Sequence, residues 1–358
     1  MRRTFAVQSK LQTPTRPLRV VLVGLGPIGK NVADECARRG LERIEIVGAV
    51  DVNPALVGKT LGELWGLGRS DAAVSVVAKA SDLKNQGEVA LLTTTSRLDT
   101  LEPQLEPLLA AGLNVVSSSE ELFYPYLTDP ARAERIDALA KKYGRAVSGA
   151  GVNPGFLMDV LPVVLATVSG PPFTVRCERY VDLAKRRVPL QTKAGMGMDP
   201  DEFRTLADTF KIGHVGLVES VAYLAGHLGL KITQVEESLE PVTSTAPFSW
   251  QGQDFAAGRT IGFEHQAWAW GEGGSAQDAP LKMYLRMSYN QEDPRDRIVL
   301  TGNPPIDLTI RPCTGGDAAT AAILVHLAAQ TPTAKPGLNL PHDLGLLPQG
   351  PRYFVSVV

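Results

Sequence analysis

LRVVLVGLGPIG, residues 18–29, decides how this chain is read. Its first six residues are an uninterrupted apolar run, the signature of a strand buried on both faces. Gly24 permits a tight turn, Gly26 lets a pyrophosphate approach the backbone, and Gly29 allows a helix to pack closely on the strand. Pro27 stands at the first helical position. Ile28, Val32, Ala33, Cys36 and Ala37 then recur at helical spacing, and Gly40 closes the helix. Asp51 ends the next apolar run, IEIVGAV, 22 residues after Gly29. That is close to the ~20-residue spacing of the carboxylate that binds an adenosine ribose. Strand, glycine turn, helix and acid predict a dinucleotide site at Gly24, Gly26, Pro27, Ile28, Gly29 and Asp51. Asp51 repels a 2′-phosphate and no arginine follows it directly, so NAD is preferred; Lys59 and Arg69 downstream leave NADP open.

Outward from this unit, apolar runs at 74–78, 89–93 and 115–117 alternate with helical segments. The clearest helix has Asp129 as cap and Pro130 at its first position. Alternation of this kind predicts an α/β fold with a doubly wound parallel sheet of Rossmann type. After Gly155 the rhythm changes. A helix is expected over 156–168, kinked at Pro162, another over 213–228, and strands at 231–239, 259–270, 281–289, 297–301 and 306–311. Leu281, Met283, Leu285 and Met287 alternate with Lys282, Tyr284 and Arg286, as in a sheet with one wet face. The expected organisation is a flexible tail (1–17), a dinucleotide-binding domain (18–152), a second α+β domain on a mixed or antiparallel sheet for substrate and dimerisation (153–315), and a C-terminal helix and tail (316–358) packing back on the first domain.

Composition narrows the function. The 358 residues are 44% hydrophobic and 21% charged, with 36 basic against 38 acidic side chains. This is ordinary globular composition, without the basic excess that nucleic acid or an anionic membrane surface demands. No apolar run reaches the roughly 20 residues of a membrane span, and no secretory h-region opens the chain. Residues 1–33 hold six basic and no acidic residues, a balance loosely like a transit peptide, which we read as a terminal tail. Cys36, Cys177 and Cys313 form no CxxC pair, which points to a reducing, cytoplasmic setting. The partner expected is a small molecule, the assembly a homodimer.

Ligands of open α/β sheets bind beyond the carboxyl ends of the strands. Three segments leave strands there: Thr93–Ser96 with Thr94, Thr95 and Ser96, Ser117–Glu121 with Ser118, and Gly149–Gly155 with Asn153 and Pro154. Adjacent Glu120 and Glu121 are candidates for proton transfer beside a nicotinamide; the alternative is a negative first turn serving a helix dipole. His227, His265, His326 and His342 show no metal spacing, and no metal is expected.

VLVGLGPIG (21–29), SSSEELFYP (117–125), GAGVNPGFLMDVLP (149–162), KAGMG (193–197) before DPDEF (199–203), GHVGLVES (213–220), TGGDAATAA (314–322) and KPGLNLPHDLG (335–345) carry a resemblance over nearly the whole chain. It resembles the 2,4-diaminopentanoate dehydrogenases and related native amine dehydrogenases, within the dihydrodipicolinate-reductase-like group. The resemblance implies NAD(P)-linked oxidative deamination of an amine, or reductive amination of a carbonyl with ammonia. It places the family's glutamate at Glu120, with Glu121 the alternate, and implies that Asn153, Phe156, Arg179 and His214 line the substrate pocket. Arg179 is the candidate clamp for a substrate carboxylate, and His214, read as starting a helix, is a neutral hydrogen-bond partner. A basic residue beside Glu120 would oppose the cationic iminium. Competing readings are a dihydrodipicolinate reductase or other imine or carbonyl reductase, a semialdehyde-type dehydrogenase, and a regulator that binds NAD without turnover. DAP at 278–280 lacks the rest of the reductase motif, and the semialdehyde enzymes leave GHVGLVES unexplained.

Overall fold

The computed structural model describes residues 16–40, 43–67, 70–83, 87–171, 173–209 and 211–346, with the backbone of strands Phe5–Lys10 and Arg352–Val357. Seven parallel strands form the first sheet in the order Gly337–Leu338, Ala146–Gly149, Asn114–Ser117, Val89–Leu92, Leu18–Val23, Ile44–Val50, Val76–Val77. Alternate residues of the first-read strand enter opposite cores. Val20 and Leu22 pack with the helix Pro27–Arg39, while Val21 and Val23 pack with the helix Leu98–Ala110. Both faces are therefore apolar, which is why the run does not alternate. Strand order reverses between Leu18–Val23 and Val89–Leu92, so the crevice above Gly24 and Thr93 is the switch point where such sheets bind ligands.

The second sheet has six strands in the order Ile306–Ile310, Arg295–Leu300, Val175–Asp182, Leu281–Ser288, Thr260–Trp270, Gln234–Thr243. It is mixed, with one parallel pair, Val175–Asp182 on Leu281–Ser288. Leu281, Met283, Leu285 and Met287 face the core, and Lys282, Tyr284 and Arg286 stay half-exposed. The helix Gly316–Ala328 packs against Pro27–Arg39, placing Ala321, Leu324 and Val325 in the core beneath that face of the first sheet.

Several expectations are corrected. Within the tail expected over 1–17, Phe5–Lys10 pairs antiparallel with Arg352–Val357. The helix expected over 156–168 runs only over Val160–Ala166. Pro162 thus falls in its first turn, where no backbone N–H is needed and no kink follows. The helix expected from 213 begins at Leu217, because Gly216 at φ 112° is non-helical. A hairpin, Phe248–Trp250 with Gln253–Phe255, was not anticipated.

Candidate active site

The glycine turn has the geometry its residues suggest. Gly24 is left-handed (φ +87°), and a Cβ there would lie 2.8 Å from Thr94 Cγ2. A Cβ on Gly29 would fall 2.1 Å from the Gly24 carbonyl oxygen, whereas one on Gly26 would meet nothing within 4 Å. The open side of Gly26 and a helix start with no side-chain cap leave room and N–H donors for a phosphate. Asp51 is held against this turn: Oδ2 accepts from Leu25 N at 2.7 Å and Oδ1 from Asn53 N at 2.8 Å. Its oxygens keep lone pairs for ribose hydroxyls. These residues fit a dinucleotide. Arg69 lies outside the described residues.

Next to the turn, a cavity of about 300 Å³ opens between the two sheets. Ile28, Thr94, Thr95, Ser96, Ser118, Glu120, Asn153, Pro154, Arg179 and His214 all line it. Thr93 ties the two sides of the switch point, its hydroxyl donating to the Gly24 carbonyl at 2.9 Å.

The neighbouring glutamates separate cleanly. Glu121 accepts from Leu98 N at 2.7 Å and pairs with Arg97 at 3.2 Å, which makes it the cap of the helix Leu98–Ala110. Glu120 faces the cavity and hydrogen-bonds with the Ser96 side chain. Burial pushes its carboxyl pKa up, against the opposing Ser96 hydrogen bond and the charge of Lys193. Pro154 fills the gap beside it: a Cβ on Gly216 would lie 2.4 Å from Pro154 Cδ and 3.4 Å from Glu120 Cβ.

Asp159, fully buried, ties this turn down. It accepts from Gly155 N at 2.9 Å, Val160 N at 2.6 Å and the Ser220 hydroxyl at 2.8 Å. Burial outweighs these bonds and raises its pKa to about 6. Ser220 stands in the helix Leu217–His227, so one carboxyl holds turn and helix together.

His214 sits in the loop before that helix, and its Nε2 bonds the Asn153 carbonyl at 3.1 Å. Burial first, then nearby His265, lowers its pKa to about 3. The neutral ring expected from a helix dipole is therefore a product of desolvation. Phe156 is also corrected: it does not line the cavity but packs among core residues with Val160 and Tyr223, because the turn after Gly155 directs it inward. Arg179 reaches the cavity already engaged, 2.6 Å from the Thr314 carbonyl and 3.4 Å from Asp296.

Residues that the sequence reading missed complete the lining. Arg186 and Arg187 both pair with Asp317, at 2.7 and 3.1 Å. The Lys193 side chain, at the end of the helix Val188–Lys193, makes no hydrogen bond or ion pair among the described residues. It is the first residue of the quoted KAGMG motif, the one signal that pointed to it.

Glu219, 4% exposed in the same helix start, has its pKa raised to about 7, chiefly by burial. A carboxyl raised on folding binds protons more tightly in the native state. Its stabilising contribution is complete below its ordinary value of 4.5 and is lost as pH rises through about 7. Glu219→Gln is therefore expected to stabilise the fold at pH 8, by on the order of 3 kcal/mol, and to have almost no effect at pH 4.5. Denaturant melts at the two pH values check this; equal effects at both would refute it.

A parallel sheet, a glycine turn and a cavity between the two sheets lined by Glu120 and the arginine-paired Asp317 define a protein of the dinucleotide-binding fold. Residues 156–350 match the family model described as the 2,4-diaminopentanoate dehydrogenase C-terminal domain, and the chain belongs to that family. It is 26% identical over 331 residues to a 2,4-diaminopentanoate dehydrogenase of Acetoanaerobium sticklandii, covering 91% of this chain and 93% of that one. It is 23% identical over 355 residues to an amine dehydrogenase of Streptomyces virginiae, covering 92% and 97%. The solved amine dehydrogenase from Mycobacterium smegmatis superposes with a TM-score of 0.79 at 24% identity, over 94% of this chain and 98% of the other.

Proposed function

We propose that this chain is a nicotinamide-dependent amine dehydrogenase, interconverting an amine with a carbonyl compound and ammonia. The observation that carries the reading is the inward Glu120, seated between Ser96 and Pro154 beside the glycine turn. A bound nicotinamide supplies or accepts the hydride. Glu120, held protonated to higher pH by burial, gives a proton to the departing hydroxyl of the carbinolamine; as carboxylate it steadies the iminium. The Asn153–Gly155 turn and His214 shape the pocket around it. Asp51 supports preference for NAD over NADP, because a carboxylate on the ribose hydroxyls repels a 2′-phosphate.

The charges of the cavity support an amine that also carries a carboxylate. Arg179 is paired with Asp296, and Arg186 and Arg187 share the single charge of Asp317, so this side of the cavity keeps a net positive charge. Lys193, with no ion pair, is placed to meet an anion while Glu120 meets the cationic nitrogen. Lys193→Ala is expected to raise KM for a carboxylated carbonyl substrate by about 10–100-fold, the loss of one charge-assisted hydrogen bond. An uncharged ketone should be unaffected. The test is NADH and NADPH oxidation with ammonium across a carbonyl panel, run on both proteins. Nucleotide binding with no oxidation of any carbonyl would leave the NAD-binding regulator in place of the enzyme. The half-exposed sheet face with Tyr180, Tyr284 and Trp268 supports a homodimer, and three free thiols support a cytoplasmic setting.

A further inference from the structure

One row of side chains crosses four strands beneath the cavity. Asp296 pairs in register with Arg179, Arg179 with Leu285, and Leu285 with His265. Each is no more than 4% exposed, and Arg179 and Leu285 line the cavity floor. His214 lies over the end of this row, its ring centroid 6.3 Å from that of His265. Each imidazole uses one nitrogen: Nε2 of His214 meets the Asn153 carbonyl, and Nε2 of His265 meets Glu237 Oε2 at 3.0 Å. The other nitrogen, Nδ1 in both rings, is buried with no partner among the described residues. Asn153 Oδ1, beside His214, shares that condition, whereas Arg179 Nη1 and Asp296 Oδ1 meet each other as an ion pair at 3.4 Å. An unsatisfied buried polar atom costs about 1–3 kcal/mol. A cluster holding donors and acceptors together is the setting of ordered water.

We infer that Glu237, His265 and His214, bridged by water between the two Nδ1 atoms, form a proton path from bulk solvent to the cavity. The inference rests on the amine dehydrogenase reading. Glu237 retains 31% side-chain exposure, His265 is buried, and His214 lines the cavity, so the three span from solvent to site. In the amination direction neutral ammonia adds to the carbonyl carbon. The carbinolamine C–O bond then breaks as its oxygen takes a proton from Glu120 and leaves as water. The iminium carbon is reduced by two electrons, arriving as hydride from the reduced nicotinamide. One proton is consumed per turnover, and Glu120 must be recharged. A proton entering at Glu237 passes to His265 Nε2 while Nδ1–H is released through water to His214 Nδ1. The His214 ring turns from the Asn153 carbonyl and gives its Nε2 proton through cavity water to the Glu120 carboxylate, after which both rings return to their starting tautomers. Deamination runs the path outward. Arg179 and Lys193 place positive charge beside His214, Asp296 offsets the former, and Glu219 places negative charge near Glu237. His214 therefore rests neutral and conducts without trapping the proton.

The test uses the full chain with Glu237→Gln, which sits at the surface, and His265→Ala. The path predicts that both lower kcat about tenfold, less than the ~10²–10⁴ of a direct acid–base group. KM should be unchanged, the solvent deuterium isotope effect on kcat larger, and the alanine variant rescued by added imidazole. A crystal structure of the wild type should show water between the two Nδ1 atoms. Wild-type kcat and isotope effect in both variants, or a dry gap between the rings, would overturn the path. An inactive wild type with that water in place would instead refute the amine dehydrogenase reading while supporting the path.

Discussion

Glu120→Gln is expected to lower kcat for reductive amination by about 10²–10⁴-fold, while Glu121→Ala leaves kcat at the wild-type level. Glutamine keeps the size and one acceptor oxygen of Glu120 but cannot shuttle a proton or balance the iminium charge. Glu121 instead caps the helix Leu98–Ala110 and pairs with Arg97, so its loss costs about 1 kcal/mol of stability. The pH dependence carries a second signature. Burial raises the Glu120 pKa, so wild-type deamination, which needs the carboxylate, climbs with pH through that raised value. In Glu120→Gln that limb should vanish. The same shift has a stability sign: the native-state preference for the protonated acid helps below its ordinary 4.5 and is lost at high pH. Glu120→Gln should therefore melt above wild type at pH 8, trading stability for activity. Full turnover in Glu120→Gln, with the defect in Glu121→Ala, would reverse the assignment.

The glycine turn supports the second large effect, because two of its glycines are required for different reasons. Gly29→Ala forces a methyl to within 2.1 Å of the Gly24 carbonyl oxygen, so turn and helix must separate. Overpacking of this kind costs about 1–3 kcal/mol, and dinucleotide affinity should fall at least about a hundredfold as the N–H donors lose their aim. Gly26→Ala points its methyl into space where nothing lies within 4 Å. It should leave the melting temperature of the ligand-free protein unchanged and weaken NAD(H) binding by more than about tenfold, since the methyl occupies the pyrophosphate approach. Calorimetric titration with NADH and thermal melts separate the two. Unimpaired NADH binding by Gly26→Ala would mean that the open side of the turn is not a phosphate site.

Much of the parallel sheet was legible because its signals are local. A buried parallel strand must be apolar throughout, a tight turn into a helix needs glycine, and Asp51 ends the adjacent strand; all lie within 34 residues, from Leu18 to Asp51. The second sheet was legible as strands but not as a site. His265 reads as one inward residue of an alternating strand, and only the register that sets it level with Leu285 and Arg179 makes it part of the floor. Phe156 and the start of the following helix were misplaced together. Asp159, which caps that helix while holding the turn before it, gives no sequence signal beyond an ordinary acid in an apolar run.

Adjacent Glu120 and Glu121 show where the boundary lies. The amino-acid sequence by itself determined a dinucleotide-binding fold and a pair of carboxylates at a strand end, because each follows from residue type and spacing along the chain, and its motifs carried the family resemblance. Which carboxylate enters the cavity was decided by Leu98 N, 23 residues away, whose unpaired helix-start donor claims Glu121. Which cations are tied into ion pairs was decided by Asp296 and Asp317, which lie far along the chain from the arginines that they hold. Charge pairing and desolvation depend on distance through space and on exclusion of water, and neither exists until the chain has packed.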